Sequence, residues 1–306
     1  MRPVVLVLLA SCLPAIPHRA PAPAAAMPPS LPVVAPCALV HLVTEDDLSN
    51  GARGWFRGTW TLAYPTFVLR LPRGVVLVDA AFGDTAAADV DAAPLWFRLS
   101  FGAARAARPL AALLAEAGVR PDEVTDVLVT HAHWDHSGGL PQLPHARVHV
   151  AEAEAAWVRS PELAKSPIAM PGHFAGARIE LLRFDGPPYE GFDASHDVFG
   201  DGSVVAVPTP GHTPGATSWF VNSGDGRRWL FVGDAAWVKE GVEEPASRGR
   251  LASWLVDWNL DRTADSLSRV HAVFEGKSAR VVTSHDERTW TDVPRCARAI
   301  EKPRAP

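Results

Sequence analysis

The segment Thr130–Gly139 reads THAHWDHSGG, so three histidines and one aspartate fall within six residues. The preceding run Val127–Thr130 is apolar and β-branched, and it predicts a short buried strand. In an extended backbone, side chains two positions apart point the same way. His131 and His133 can therefore share one metal ion where the strand ends.

A second pair of metal-ligand residues follows directly. Asp135 and His136 lie where the chain turns toward a Gly-Gly pair, and they could face a second ion a few ångströms from the first. Imidazole nitrogen and carboxylate oxygen together suit zinc best, but a site without thiolate also accepts iron, manganese or cobalt. A mononuclear structural site needs fewer ligands and usually contains cysteine, so the pattern favours two ions.

Three further strand ends deliver a histidine or an aspartate. Apolar runs predict strands over residues 204–207, 229–232 and 280–283, and they are followed by PTPGHTPG with His212, by GD with Asp234 and by SHD with His285. Open α/β architectures build their sites from residues at strand ends. We therefore expect these side chains to converge with those of the first motif.

The order of these motifs resembles that of the metallo-β-lactamase superfamily of binuclear hydrolases, over roughly Pro65 to Trp290. The first signature of that family is an aspartate that closes an early strand, and Asp79 after the apolar run 74–78 fits it. The resemblance implies an αββα sandwich of the α/β class. In this fold two mixed β-sheets pack face to face, helices lie outside, and the metals sit at the sheet edge.

The resemblance also implies a role for each ligand. One zinc ion would be held by His131, His133 and His212. The other would be held by Asp135, His136 and His285. Asp234 would bridge the two ions. A hydroxide between the two ions would attack an ester-like carbonyl, with Asp135 and Asp234 as the catalytic carboxylates. Asp79 would orient a loop or a ligand histidine without binding metal, and Thr130, which adjoins a ligand, could support it or have a purely structural role.

The bridging Asp234 separates activities within the family. β-Lactamases of this superfamily generally lack it, whereas glyoxalase II-like thioesterases, ribonuclease Z-like nucleases and acyl-homoserine lactonases have one. Lys and Arg total 29 against 34 for Asp and Glu, and no basic run could follow a phosphate backbone, which argues against nucleic acid. Among the remaining members, the arrangement most resembles lactonases of the acyl-homoserine lactonase type, and this resemblance implies a hydrolase of lactones. A thioesterase, a β-lactamase, and a non-catalytic, metal-bound surface lipoprotein are the alternatives.

Three tryptophans are the expected substrate-binding residues. Trp237 stands where those lactonases have a tyrosine that holds the substrate carbonyl; an indole can donate one hydrogen bond and stack, but it lacks the phenol hydroxyl. Trp55 lies in a glycine-flanked aromatic run that suits a pocket wall or a hairpin on the core. Trp96 lies in the apolar segment Ala93–Phe101, for which core or a homodimer contact is favoured over a lid.

The N-terminal region differs in composition from the rest. Residues 1–26 contain a short apolar run and the segment Leu9–Cys12, which resembles a bacterial lipobox with Cys12 as the lipidated residue; Ala24–Ala26 is a rival cleavage site. Either site predicts an exported protein, periplasmic or anchored to a membrane, whereas a true start at Met27 predicts a cytoplasmic one. Residues 27–45 are expected to form a Pro-rich linker, and residues 46–306 the hydrolase domain.

Two cysteines remain once Cys12 is set aside. In an exported chain Cys37 and Cys296 could pair and tie the two ends of the domain together, because chain termini often lie close. The alternative, two separate buried thiols, is slightly favoured. Neither cysteine is expected at the metal site, because the chain has no short CxxC spacing.

Overall fold

The computed structural model describes residues 14–46, 59–100, 102–166, 168–244 and 250–296. Its strands are β1 (Cys37–Asp46), β2 (Thr59–Leu71), β3 (Gly74–Val78), β4 (Val124–Leu128), β5 (Arg147–Ala151), β6 (Arg178–Leu182), β7 (His196–Asp197), β8 (Val204–Pro208), β9 (Thr217–Asn222), β10 (Arg228–Phe231) and β11 (Arg280–Val282). Its α-helices are α1 (Ala86–Ala92), α2 (Leu95–Ser100), α3 (Leu110–Glu116), α4 (Trp134–Ser137), α5 (Glu152–Val158), α6 (Lys239–Glu243), α7 (Arg250–Val256) and α8 (Leu260–Gly276). None of the helices in these ranges is long and apolar enough to cross a membrane.

The strands form two mixed sheets. The first has the order β1-β2-β3-β4-β5-β6, in which β1, β2 and β3 pair antiparallel and the remaining pairs are parallel. The second has the order β11-β10-β9-β8-β7, with one parallel pair between β10 and β11. Strands β8, β10 and β11 run in one direction, so their carboxyl ends meet at one edge of the second sheet.

A continuous apolar core joins the two sheets face to face. Buried side chains of the first sheet, such as Phe67 and Val76, contact those of the second, such as Trp219 and Phe231. The outer face of the first sheet is covered by α3, and that of the second by α8. The four layers confirm the αββα sandwich, because each sheet buries one face against the other sheet and one against helices.

The expected linker over residues 27–45 is wrong at its C-terminal end. Residues 37–45 belong to β1, which pairs along its whole length with β2, so the folded domain includes them. The β-branched, alternating sequence CALVHLVTED suits a strand. The Pro-rich composition ends at Pro36, so the folded domain begins earlier in the chain than residue 46.

The two cysteines form a disulfide, so the favoured expectation of two separate thiols is wrong. Cys37 and Cys296 are joined across a sequence separation of 259 residues. Close to this bond, backbone hydrogen bonds join Ala38 N to Pro294 O and Cys296 N to Ala38 O. Residues 294–296 thus run beside the start of β1, and the bond ties both ends of the described domain together.

We predict that replacing both Cys37 and Cys296 with serine lowers the free energy of unfolding by about 2–5 kcal/mol, because the bond restricts the unfolded chain over a long loop. Urea denaturation of the oxidised protein and of the double variant measures the difference. Reductant should destabilise the parent protein and leave the variant unchanged. Equal midpoints for oxidised protein and variant would contradict the prediction.

Candidate metal centre

The carboxylate of Asp234 lies between two groups of histidines. Its Oδ2 is 3.3 Å from Nε2 of His212 and 4.0 Å from Nε2 of His131. Its Oδ1 is 3.1 Å from Nε2 of His285 and 3.3 Å from Nε2 of His136. Asp234 follows β10 in a single 3-10 turn, Gly233–Ala235. One oxygen therefore faces each group, which is the geometry that a bridging ligand needs.

Three sets of side chains could each hold a metal ion, with ligand atoms within 4.8 Å of one another: His131, His133 and His212; His131, His136 and Asp234; Asp135, His136 and His285. In the first set Nε2 of His131 lies 3.0 Å from Nδ1 of His133. In the last, Oδ2 of Asp135 lies 3.5 Å from His136 and 3.7 Å from His285. The structure thus brings together all seven residues predicted as ligands, and their nitrogen and oxygen donors fit zinc.

In three of the candidate ligand histidines, the ring nitrogen that points away from the site has a partner that fixes the ring. Nδ1 of His136 is 2.8 Å from Oδ2 of Asp79, and Nδ1 of His285 is 2.8 Å from the carbonyl oxygen of Ala63. Nδ1 of His212 is 2.9 Å from Oδ1 of Asp257. A proton held on Nδ1 leaves Nε2 to point into the site with its lone pair, as metal-binding histidines require.

Burial and the charges of neighbouring side chains set the pKa values of the histidines and carboxylates in the site. Burial, together with His136 and His133, holds the pKa of His131 well below its ordinary value, so this ring is neutral at pH 7. Burial opposes the ionisation of Asp234, but His285 and His136 outweigh it and hold its pKa well below the usual range. Burial also opposes the charged forms of His136 and His285, but the facing carboxylates outweigh it and raise the pKa of both rings, so a bound cation would displace their protons.

Asp79 and Thr130 lie behind the ligands, in the supporting position that the sequence allowed for both. Both carboxylate oxygens of Asp79 are used: Oδ1 accepts from the backbone N–H of Thr130 at 2.7 Å, and Oδ2 contacts the Thr130 hydroxyl at 2.9 Å and His136. Asp79 has φ 59°, a left-handed conformation that is uncommon for a residue with a side chain. These bonds tie the end of β3 to the loop that carries the first motif.

Glu154 is a buried residue of the site that the sequence analysis missed. Its side chain on α5 is fully buried, with Oε1 accepting from the N–H of Ala132 at 2.7 Å and Oε2 from the N–H of Gly215 at 2.9 Å. One carboxylate therefore joins the loop of the first motif to the loop that carries His212. The Ala-rich sequence around Glu154 resembles that of an ordinary surface helix, and only the tertiary structure shows which N–H groups the Glu154 carboxylate accepts from.

Asp257 is the other missed residue. It follows α7, its side chain is completely buried, and it pairs with His212. The backbone N–H groups of Trp258 and Asn259 also donate to the carbonyl oxygens of His212 and Gly211, at 3.0 and 2.9 Å. The connection between α7 and α8 therefore holds the His212 loop from outside. Because 45 residues separate the two partners, no local motif marks the pair.

A cleft opens onto the candidate ligands His133, Asp135, His212, Asp234 and His285. Its remaining walls are apolar or aromatic and comprise Leu62, Tyr64, Phe97, Trp134, Ile168, Trp237 and Val256. A small polar centre inside apolar walls is typical of a small-molecule site.

The tryptophans expected to bind substrate differ in their placement. Trp237 lines the cleft, and its indole N–H donates to Oδ2 of Asp234, a candidate ligand, at 2.6 Å. Trp55 and the side chain of Trp96 lie outside the described residues. Within the same apolar segment, Phe97 on α2 lines the cleft and is buried. The segment thus contributes to the core and to the wall of the site.

Comparison with known proteins agrees with this geometry. The sequence profile of the metallo-beta-lactamase superfamily matches residues 61–286. The chain belongs to this superfamily. It is 32% identical over 181 residues to the N-acyl homoserine lactonase AttM of Agrobacterium fabrum, a match that covers 57% of this chain and 63% of that protein. The chain therefore spans slightly less than two thirds of that relative.

Two further similarities extend along more of the chain. The N-acyl homoserine lactonase AttM of Azorhizobium caulinodans is 27% identical over 240 residues, which cover 76% of this chain and 84% of that protein. A crystal structure of a quorum-quenching N-acyl homoserine lactone lactonase superposes with a TM-score of 0.65 at 17% identity, covering 88% of this chain and 98% of that one. At this identity the structural likeness establishes the fold.

We predict that Glu154→Gln lowers the free energy of unfolding by about 2–4 kcal/mol, because an amide can accept only one of the two backbone N–H bonds and turns a donor toward the other. Thermal and urea denaturation of the metal-free protein measure the loss. The matched control is Glu152→Gln, an exposed position on the same helix, which should change stability little. Equal effects of the two substitutions would contradict the role of Glu154.

We also predict that Asp257→Asn weakens the binding of a divalent metal by about 10–100-fold, because His212 loses the carboxylate that holds its proton and orientation. Competition with a coloured chelator measures the affinity directly, without any assay of turnover. Asp261→Asn, at an exposed position on α8, is the control and should leave the affinity unchanged. Retention of full affinity in Asp257→Asn would contradict the prediction.

Proposed function

We propose that this protein is a binuclear metal-dependent hydrolase that opens lactone rings, with zinc as its metal. The observation that carries the proposal is the position of Asp234, whose two oxygens face two separate histidine groups at 3.1–4.0 Å. Two ions bound there would supply an activated water and would polarise the substrate carbonyl. The relatives named as N-acyl homoserine lactonases support a lactone as the substrate.

The residues of this chain would prepare the site before any substrate binds. Asp79, Glu154 and Asp257 hold the ligand loops rigid, so little reorganisation is needed when the metals and substrate arrive. Phe97 and Trp237 would exclude water from one side of the reacting carbonyl. The indole N–H of Trp237 would keep Asp234 in its bridging orientation.

Tyr64 is the residue that we propose holds the substrate carbonyl. The chain has two tyrosines, and Tyr189 is engaged with Arg228 and Asn222 away from the cleft. Tyr64 on β2 lines the cleft, and its ring centroid lies 5.2 Å from that of His285. A phenol hydroxyl there can donate a hydrogen bond to a substrate carbonyl, whereas the indole N–H of Trp237 donates to Asp234.

A substrate screen tests the proposed reaction. Purified protein should contain about two zinc ions per chain by elemental analysis, and a chelator should abolish the hydrolysis of acylated lactones until zinc is added back. Nitrocefin and an acyl-glutathione thioester, assayed on the same sample, distinguish a β-lactamase and a thioesterase. Metal-loaded protein that hydrolyses none of these compounds would overturn the proposal and favour a non-catalytic role.

The bridging role has its own test. Asp234→Asn should reduce the zinc content to about one ion per chain and lower kcat by about 100-fold or more, because a neutral amide bridges two cations poorly. Asp185→Asn, at an exposed position, is the matched control and should retain both ions and full activity. An Asp234→Asn protein with both ions and unchanged kcat would show that Asp234 is not the bridge.

For Tyr64→Phe we expect kcat/KM for a lactone to fall by about 10–100-fold, while the zinc content stays unchanged. Tyr189→Phe is the matched control, because it removes a tyrosine hydroxyl outside the cleft. It should lower the stability and leave kcat/KM of the folded protein unchanged. If Tyr64→Phe is as active as the parent, the carbonyl is held by another group.

A further inference from the structure

Residues 16–34, here called the strap, lie against the folded domain along much of their length. Ala22 is buried in the cluster that joins α8 to the second sheet, and Ile16 packs against the same cluster. The N–H of Ala22 donates to the carbonyl oxygen of Ala272 on α8 at 2.8 Å. A solvated tether would make no such buried contacts, since its composition alone predicts an extended, flexible chain.

Charged and polar groups fix the middle of the strap. Arg19 pairs with Asp265 on α8, and its Nε donates to the Ser268 hydroxyl at 2.8 Å. The N–H of Ala25 donates to Oε1 of Glu190 at 2.9 Å. The Ala25 carbonyl oxygen accepts from Nη1 of Arg228 at 3.0 Å.

The contact between Ala25 and the domain matters because its partners are buried. Glu190 and Arg228 pair with each other and are only 5% and 9% exposed. Removing the strap would take one hydrogen bond from each of them. Buried charges that lose a hydrogen bond destabilise a protein more than exposed ones do.

The end of the strap leads directly into the core. The N–H of Gly224 donates to the carbonyl oxygen of Pro32 at 2.8 Å, and the N–H of Val34 donates to the Ser223 hydroxyl at 2.9 Å. Val34 is fully buried between the two sheets, a few residues before β1. The strap is therefore continuous with the first strand of the domain.

Glycines form the surface on which the strap lies. A Cβ at Gly276 would come within 2.2 Å of the Ala22 carbonyl oxygen, and one at Gly224 within 2.2 Å of that of Leu31. A Cβ at Gly202 would lie 2.5 Å from Cγ of Pro28. Three separate places in the domain thus admit the strap only because they lack a side chain.

These contacts decide among the N-terminal processing events that the sequence leaves open. Cleavage at Ala24–Ala26, or a start at Met27, would remove the residues that contact α8 and part of those that contact Glu190 and Arg228. We propose that residues 16–34 are retained in the mature protein and that any proteolytic processing occurs upstream of Ile16. This assignment favours the site at Cys12 over the other two.

The position of the mature N-terminus tests this inference directly. The full chain is expressed in a bacterium that exports and lipidates proteins, and the N-terminus of the purified protein is mapped by intact mass and peptide sequencing. We expect a chain that retains Arg19 and Ala22, with a lipid-modified N-terminal Cys12 if the upstream site is used. A mature protein that begins at any residue after Ile16 would overturn the proposal.

A thermodynamic cycle tests the strap independently of processing and of catalysis. The full chain and a chain beginning at Met27 are each compared with their Gly276→Ala variants by thermal unfolding. The shorter chain should melt about 5 °C or more below the full chain. Gly276→Ala should lower the melting temperature of the full chain, because its Cβ meets Ala22, and should not lower that of the shorter chain.

Gly172→Ala is the control for this cycle, because a Cβ there meets no atom within 4 Å. It should shift both chains equally. Equal melting temperatures of the full and shorter chains, or the same shift by Gly276→Ala in both, would show that the strap is not part of the domain.

Discussion

The structure depends on a single buried carboxylate that four histidines face. Asp234 can stay ionised away from water because positive or polarisable partners surround it, and these partners come from loops on both sheets. Such an arrangement of unscreened imidazoles and carboxylates is costly in a protein without ions. It becomes favourable when divalent cations bind among them, so metal binding and the final geometry of the site depend on each other.

Three other buried carboxylates hold the loops that carry the candidate ligands in this arrangement. Asp79, Glu154 and Asp257 each join segments that are distant in sequence, and each holds a loop that carries a ligand. The segments come from the carboxyl ends of strands in both sheets, where the N–H of Thr217 also donates to the Thr130 carbonyl oxygen at 2.9 Å. The ligand loops are therefore braced from several sides, and the cleft can place apolar walls around a fixed polar centre.

Both ends of the described part of the chain are held against the domain. The disulfide joins Cys296 to Cys37 on β1, and the strap packs against α8 and the second sheet before the chain enters β1. Both the disulfide and the strap lie away from the cleft that contains the candidate metal ligands. They act on the stability of the scaffold, so their loss is expected to change folding before it changes the chemistry.

The sequence by itself determined the fold class and the seven residues that the fold brings together as candidate metal ligands. His131 and Asp234 stand out because histidines and aspartates directly after apolar runs are rare, and their order along the chain matches one family. It also indicated Asp79 as a support for the ligands and left Thr130 with two possible roles. These features are readable because strand periodicity and ligand chemistry are properties of short segments.

Only the tertiary structure decided the pairings between distant residues. Glu154 and Asp257 look like ordinary helix and loop carboxylates until folding buries them against their partners, and the indole N–H of Trp237 donates to Asp234. The sequence left the disulfide as one of two alternatives, and its Pro-rich composition gave no sign that the strap docks on the domain. Contacts over tens to hundreds of residues depend on how the layers pack, and a single sequence carries no local signal of that packing.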